Sequence, residues 1–260
     1  MSDPKTRFEE ATERLYSVFA GYRLPTNTGM CQLCNEPGDD FILHSKPPRE
    51  LTGDDLYDYT VTALTCWGDE FIFRYFLPRI FELTFQVPYS YIFDQEPIAA
   101  KLNLAEWSTW PVEEIEAVQC FLMAAWEYAL AFDDYGEIDD LLCAIGQAED
   151  DMSPYLEAWE KSGIVGFLCL SEFITAEYAY IAQSNKLTNI YWQEIWPPER
   201  SYCNDRTAQM NQVIEWLEKP STCELLENAY LENPNHPLAA SIAEAADYLR
   251  WIETYRKNTT

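Results

Sequence analysis

Cys31-x-x-Cys34 is the pair in this chain whose spacing best suits a metal ion. Zinc takes four soft or borderline ligands in a tetrahedron, and two thiolates one turn apart supply half of that set. His44 and Cys66 complete a candidate set of Cys31, Cys34, His44 and Cys66 for a structural zinc. Such an ion would order a Pro- and Gly-rich stretch that has little core of its own. The second Cys or His pair that usually closes the pattern is missing. Reduced thiols buried beneath the loop are therefore the competing reading. A redox role would call for a strand ahead of the pair, and none is indicated.

Carboxylates form the second constellation. Asp133-Asp134-Tyr135-Gly136-Glu137 has the form Asp-Asp-x-x-Asp/Glu, with which class I terpenoid synthases hold magnesium and diphosphate. Diphosphate also needs clustered Lys or Arg, and residues 102–160 contain neither. The motif reads instead as a solvated loop at a helix end. It also lacks the alternating acids followed by Gly of a calcium-binding EF-hand.

That same stretch of 59 residues holds fifteen Asp or Glu, more than half of a formal net charge of −27. A one-signed field of this kind repels nucleic acid and anionic membrane and attracts basic surfaces. The expected partner is a basic protein, with no nucleic acid and no membrane. The contacts expected to meet it are Asp133, Asp134, Glu137, Asp139, Asp140, Asp150 and Asp151, with Tyr135, Tyr155 and Trp159 as aromatic anchors beside them. A solvated helical face, or an adaptation to salt, would give the same composition without a partner.

Conventional catalysis is poorly supplied. There are two His, His44 and His236, no Ser, Cys or Lys nucleophile beside a visible base, and no glycine-rich phosphate loop. No catalytic residue is assigned and no cofactor beyond the zinc is expected.

The elements that must position these residues read as helices. Nine Gly in 260 residues argue against a loop-rich or β-rich fold, and 48% hydrophobic residues suffice for a core. Ser2 or Asp3 caps a first helix with Phe8, Ala11 and Leu15 inward. Residues 23–50 are irregular. Thr52-x-x-Asp55 is a capping box that opens a helix to about residue 65. A second helix spans 69 to about 86 and should kink or split at Pro78. Another runs from Trp110-Pro111 to about Ala131. Further helices are expected at 137–147, 154–161, 164–183, 187–195, 204–218, 221–231 and 237–257. The whole reads as one all-α domain, 1–260, a stack resembling a HEAT-like solenoid with a sub-boundary near 87–96. No apolar signal region opens the chain and no long apolar run crosses it, so a cytoplasmic location is expected.

Several segments resemble an uncharacterised family of bacterial proteins of similar length. They are Leu15-Tyr-x-Val-Phe19, Cys31-x-x-Cys34, Leu43-His44-x-Lys-Pro47 and Arg49-Glu-Leu-Thr52-x-x-Asp55-Leu56. Thr65-x-Trp67-Gly68, Phe73-Arg-Tyr-Phe-Leu-Pro-Arg79, Trp107-x-x-Trp110-Pro111, Phe121-Leu-x-Ala-x-Trp126 and Met152-Ser-Pro-Tyr-Leu-x-x-Trp159 follow the same pattern. The resemblance spans roughly residues 8–160. It implies a bacterial, cytoplasmic, mostly helical protein and carries over no catalytic residue. Charge and size together suggest an acidic binding protein that sequesters a basic one, as immunity proteins and antitoxins do with toxin domains. A metal-dependent enzyme and a structural scaffold are the alternatives.

Overall fold

Asp3 accepts from the backbone N–H of Thr6 at 3.2 Å and from its hydroxyl at 2.6 Å, and so caps the first helix, α1 (Pro4–Val18). The same local logic recurs along the chain. In this computed structural model, which describes residues 3–33, 38, 40–86, 93–132, 138–193 and 203–259, the protein is all-α. Twelve α-helices and no strand occur among the described residues. Two isolated bridges, Met30 with Trp67 and Ala63 with Trp67, are their only β-type pairings. The contacts divide the chain into two compact units, 1–125 and 126–260. The division falls within one helix, well past the expected sub-boundary at 87–96.

In the first unit, α2 (Phe41–His44) and a 3-10 turn at Pro48–Glu50 precede α3 (Gly53–Thr62). Thr52 and Asp55 form the expected capping box: Asp55 N–H donates to Thr52 Oγ1 at 3.1 Å, and Thr52 N–H donates to Asp55 Oδ2 at 2.9 Å. The helix ends three residues short of expectation. Leu64 takes a positive φ of 68° there, and Gly68, at φ 75°, turns the chain into α4 (Glu70–Phe85). Of the kink or split expected at Pro78, the split does not occur: α4 continues past the proline. A proline removes one rung of the helix ladder, while Phe73, Phe76, Leu77, Ile80 and Phe81 are each fully buried on both sides of it. Packing outweighs the lost hydrogen bond. Next come α5 (Gln95–Leu104) and α6 (Val112–Ala129), whose Phe121 meets Phe8, Phe81 and Phe85 in an aromatic core.

The second unit contains α7 (Ile138–Ala148), α8 (Ser153–Glu160), α9 (Ile164–Ser184), α10 (Thr207–Leu217), α11 (Pro220–Glu232) and α12 (Ala239–Thr259). Of the helix expected at 187–195, only a 3-10 turn at Ile190–Trp192 is seen among the described residues. Asn185, left-handed at φ 54°, stops α9 just before it. Three indoles form the core. Trp159 meets Trp126 edge-on at 5.1 Å and stacks on Trp216 at 5.6 Å. Their polar atoms are satisfied: Trp126 Nε1 donates to the Tyr155 carbonyl, Trp159 Nε1 to the Gly166 carbonyl and Trp216 Nε1 to Glu160. The most extensive helix pairing is α9 with α12. A solenoid stacks each unit on its neighbour in sequence, whereas two helices intervene between α9 and α12; solenoid character is not shown by this pairing. By length and composition α9 could cross a membrane; in the structure half of that window is buried.

Cations close helix ends in both units. Lys101, with no exposed surface, donates from Nζ to the carbonyls of Val61 (3.1 Å) and Ala63 (3.0 Å) at the end of α3. Arg206 Nη2 donates to the Gln147 carbonyl at the end of α7. Arg256 Nη2 donates to the Ile181 carbonyl in the last turn of α9. The last carbonyls of a helix carry partial negative charge and several lack intrahelical donors, which favours a cation there; the Ile181 carbonyl accepts from Asn185 N–H as well.

Two substitutions test this packing. A Cβ at Gly146 would lie 2.3 Å from Trp192 Cζ3. Gly146→Ala should therefore cost about 1–3 kcal/mol as an overpacking defect, read as a lower urea midpoint at unchanged slope. Lys101→Met leaves buried carbonyls without their donor and should cost roughly 2–4 kcal/mol in the same assay.

Candidate functional site

The acids expected to meet a partner fall at the two ends of α7. Asp139 and Asp140 lie in its first turn, Asp150 and Asp151 just beyond its last. Eleven residues of helix rise about 16 Å, roughly twice the Debye length of about 8 Å at physiological salt. The two groups therefore act as separate charges. Each is also partly engaged. Asp140 accepts from Asn189 Nδ2 at 3.3 Å, and Asp150 accepts from Arg206 Nη1 at 2.9 Å and from Gln209. Gln212 fixes the same turn, donating to the Asp150 carbonyl and accepting from Met152 N–H. Asp151 is exposed; hydrogen bonds from the Ser153 hydroxyl and then from Ser153 N–H hold its carboxyl below the usual range. Asp133, Asp134, Tyr135 and Glu137 lie outside the described residues.

The two described aromatic anchors are corrected by the fold. Trp159 is fully buried at the centre of the indole core, and Tyr155 is buried beside it, its hydroxyl 3.3 Å from Glu149. They hold the second unit together and present nothing to a partner. In sequence, the acids beside them suggested a surface. In the fold, α8 buries its face with Tyr155, Leu156 and Trp159 and turns Glu157 outward.

The cysteine segment is ordered by an indole. Gly29 and Gly68, both at positive φ, approach closely enough for Met30 to bridge Trp67 and for Cys31 N–H to donate to the Cys66 carbonyl at 2.9 Å. Buried Trp67 donates from Nε1 to Thr28 Oγ1 at 2.9 Å. Cys31 and Cys66 are thus brought together through the backbone. His44 is exposed on α2. Cys34 lies outside the described residues. Among the described residues no three His, Cys, Asp or Glu side chains gather into a metal-ligating group.

A surface not anticipated from sequence runs along α12. Taking about 100° per residue, Glu244, Tyr248, Trp251 and Tyr255 share one stripe, with Asp247 on its outer edge. Tyr248 stacks on Tyr178 of α9 at 4.0 Å and 10°, Trp251 meets Tyr178 edge-on at 5.5 Å, and Tyr255 stacks on Trp251 at 5.1 Å. This ladder stays partly in solvent, with Trp251 41% exposed. Tyr248 donates its hydroxyl hydrogen to Glu244 at 2.5 Å, and that bond is the main reason its phenol is pushed up to about 12. The i, i+3, i+7 spacing of Tyr248, Trp251 and Tyr255 was the available signal. It lay beside the inner stripe of Ile242, Ala245, Leu249 and Ile252, all buried, which accounts for the helix without it.

The opposite flank of α12 carries cations. Arg250, Arg256 and Lys257, with Lys219, line a cavity of about 540 Å³ against α11 that also reaches Cys223. Most of this charge is spent internally: Arg250 pairs with Glu227 and Asp247, Arg256 with Glu218, and Lys257 with Glu253. Burial raises the Cys223 thiol and keeps it protonated.

Comparison with family models, with curated proteins and with solved structures gives no match to this chain.

Buried Glu177 faces the turn after α9 and accepts from the N–H of Thr188 at 2.8 Å and from its hydroxyl. Burial raises its carboxyl above the ordinary 4.5, outweighing those two bonds. A carboxyl raised on folding contributes stability below its unfolded value, and that contribution is lost as pH rises through the folded value. Glu177→Gln should therefore gain on the wild type in thermal midpoint as pH rises from about 4.5 to 7. A constant difference across that range would refute the assignment.

Proposed function

We propose that the protein is an acidic helical binding protein that sequesters a basic partner protein, as an immunity protein or antitoxin does with a toxin domain. One observation carries the reading: 44 carboxylates share 17 Lys and Arg, so at least 27 have no cation of their own. The described ion pairs of residues 102–160 underline the shortage. Glu114, Glu116, Asp150 and Glu157 pair with Arg74, Arg14, Arg206 and Lys161, every one of them from outside that stretch.

The surplus has a physical cost that a partner relieves. Like charges closer than about 8 Å repel at physiological salt. A basic surface brought against them removes that repulsion, and the long-range field speeds the encounter. Glu106 after α5, Glu113 and Glu116 on α6, and Asp150, Asp151 and Glu157 around α8 are the described acids of the stretch that are exposed.

The test is recovery of a partner with the tagged protein, followed by titration of the purified pair at two salt concentrations. One basic protein bound at near-equal stoichiometry is expected, with affinity falling as salt rises. Failure to recover any basic protein at low salt would overturn the reading.

A further inference from the structure

The aromatic ladder of Tyr178, Tyr248, Trp251 and Tyr255 is bordered by acids. On α12, Glu244 lies within the stripe and Asp247 on its edge. On α9, which supplies Tyr178, there is no Lys or Arg. The cations of α12 are held elsewhere. By the 100° rule Arg250 and Lys257 lie about 160–180° from Tyr248, on the cavity side. Arg250 meets Asp247 from that side while also pairing with Glu227 of α11. Arg256 turns to Glu218 and to Asn185 beside the end of α9.

Stacked electron-rich rings in solvent, edged by carboxylates, suit one chemistry. A guanidinium is planar and weakly hydrated, stacks on aromatic faces and pairs with carboxylates in a fork. The protein uses that chemistry internally: the Arg74 guanidinium lies 4.3 Å from the centroid of Trp110 and 3.6 Å from Glu114. We infer that the α9–α12 aromatic face docks an arginine-rich segment of the partner protein, with Trp251 and Tyr248 receiving the guanidinium and Glu244 and Asp247 its charge. This rests on the acidic-binder reading and names the face that performs it.

The probe is an oligo-arginine peptide titrated into the full chain by calorimetry at low salt, with an oligo-lysine peptide of equal length beside it. Arginine is expected to bind more tightly than lysine, since the compact ammonium cannot stack. Trp251→Ala and the pair Glu244→Gln, Asp247→Asn should each weaken arginine binding at least about tenfold, a cost in the range of one desolvated aromatic anchor. Trp251→Phe keeps a ring and should retain most of the affinity, which separates a lost contact from a misfolded variant. Asp151→Asn with Glu157→Gln, which leaves the Asp150–Arg206 pair in place, should change little. Undiminished binding in Trp251→Ala, or a loss confined to Asp151 and Glu157, would overturn the face and leave the acidic-binder reading standing. No arginine binding at low salt would overturn the face as well. Sedimentation of the free protein covers the remaining occupant: a dimer dissolved by Trp251→Ala would give the face to a second copy and end the proposal.

Discussion

The scarcity of cations is the constraint on which the rest of this structure depends. With 17 Lys and Arg against 44 acids, several of the cations are placed where they satisfy more than one group at once. Lys101 closes the end of α3, Arg206 the end of α7 and Arg256 the end of α9. Arg79 Nε reaches the Leu51 carbonyl while its Nη1 pairs with Glu82. Arg74 lies on Trp110, donates to the Tyr22 hydroxyl and pairs with Glu70 and Glu114. A helix end is a fixed concentration of unpaired carbonyls, so one buried cation there does more than one on the surface, where an ion pair is worth about 0–1 kcal/mol.

That placement fixes the character of the surface. Arg79, Arg206 and Arg256 each meet a carboxylate as well as a carbonyl, yet the acids still outnumber the cations by 27. Folding therefore leaves a negative field in place, and the proposed capture of a basic surface draws on it. The same logic sorts the two flanks of α12. One is an internally paired lattice of Arg, Lys and Glu around a cavity; the other is a set of stacked rings edged by acid. The cation flank lies against α11, while the ring flank packs on Tyr178 of α9 and keeps part of its surface in solvent.

Local features were legible in the sequence because local chemistry determines them. The Thr52–Asp55 capping box, the Asp3 cap and the inner faces of α1 and α6 depend on residues three or four apart. The split expected at Pro78 does not occur for the opposite reason: its cost is local, but the burial that holds the helix together comes from the rest of the unit. Tyr155 and Trp159 misled in the same way. The acids next to them in sequence are next to solvent in space, while the rings meet Trp126 and Trp216, 33 and 57 residues from Trp159 in sequence. Of the candidate site, the sign of its charge was legible and its location was not. Period 3.6 identifies which residues share a face, but not which of two adjoining apolar stripes is covered by another helix.

The placement of Lys101 has one more consequence. Trypsin cleaves after Lys and Arg, and from Lys101 to Lys161 the chain offers no other site. Lys161 stands in solvent, with 74% of its side chain exposed. Lys101 has no exposed surface and is bonded to the carbonyls that end α3. A protease reaches a buried bond only through local opening. The appearance of the fragment 102–161 therefore reports release of α5 from α3, so the first unit carries its own proteolytic clock.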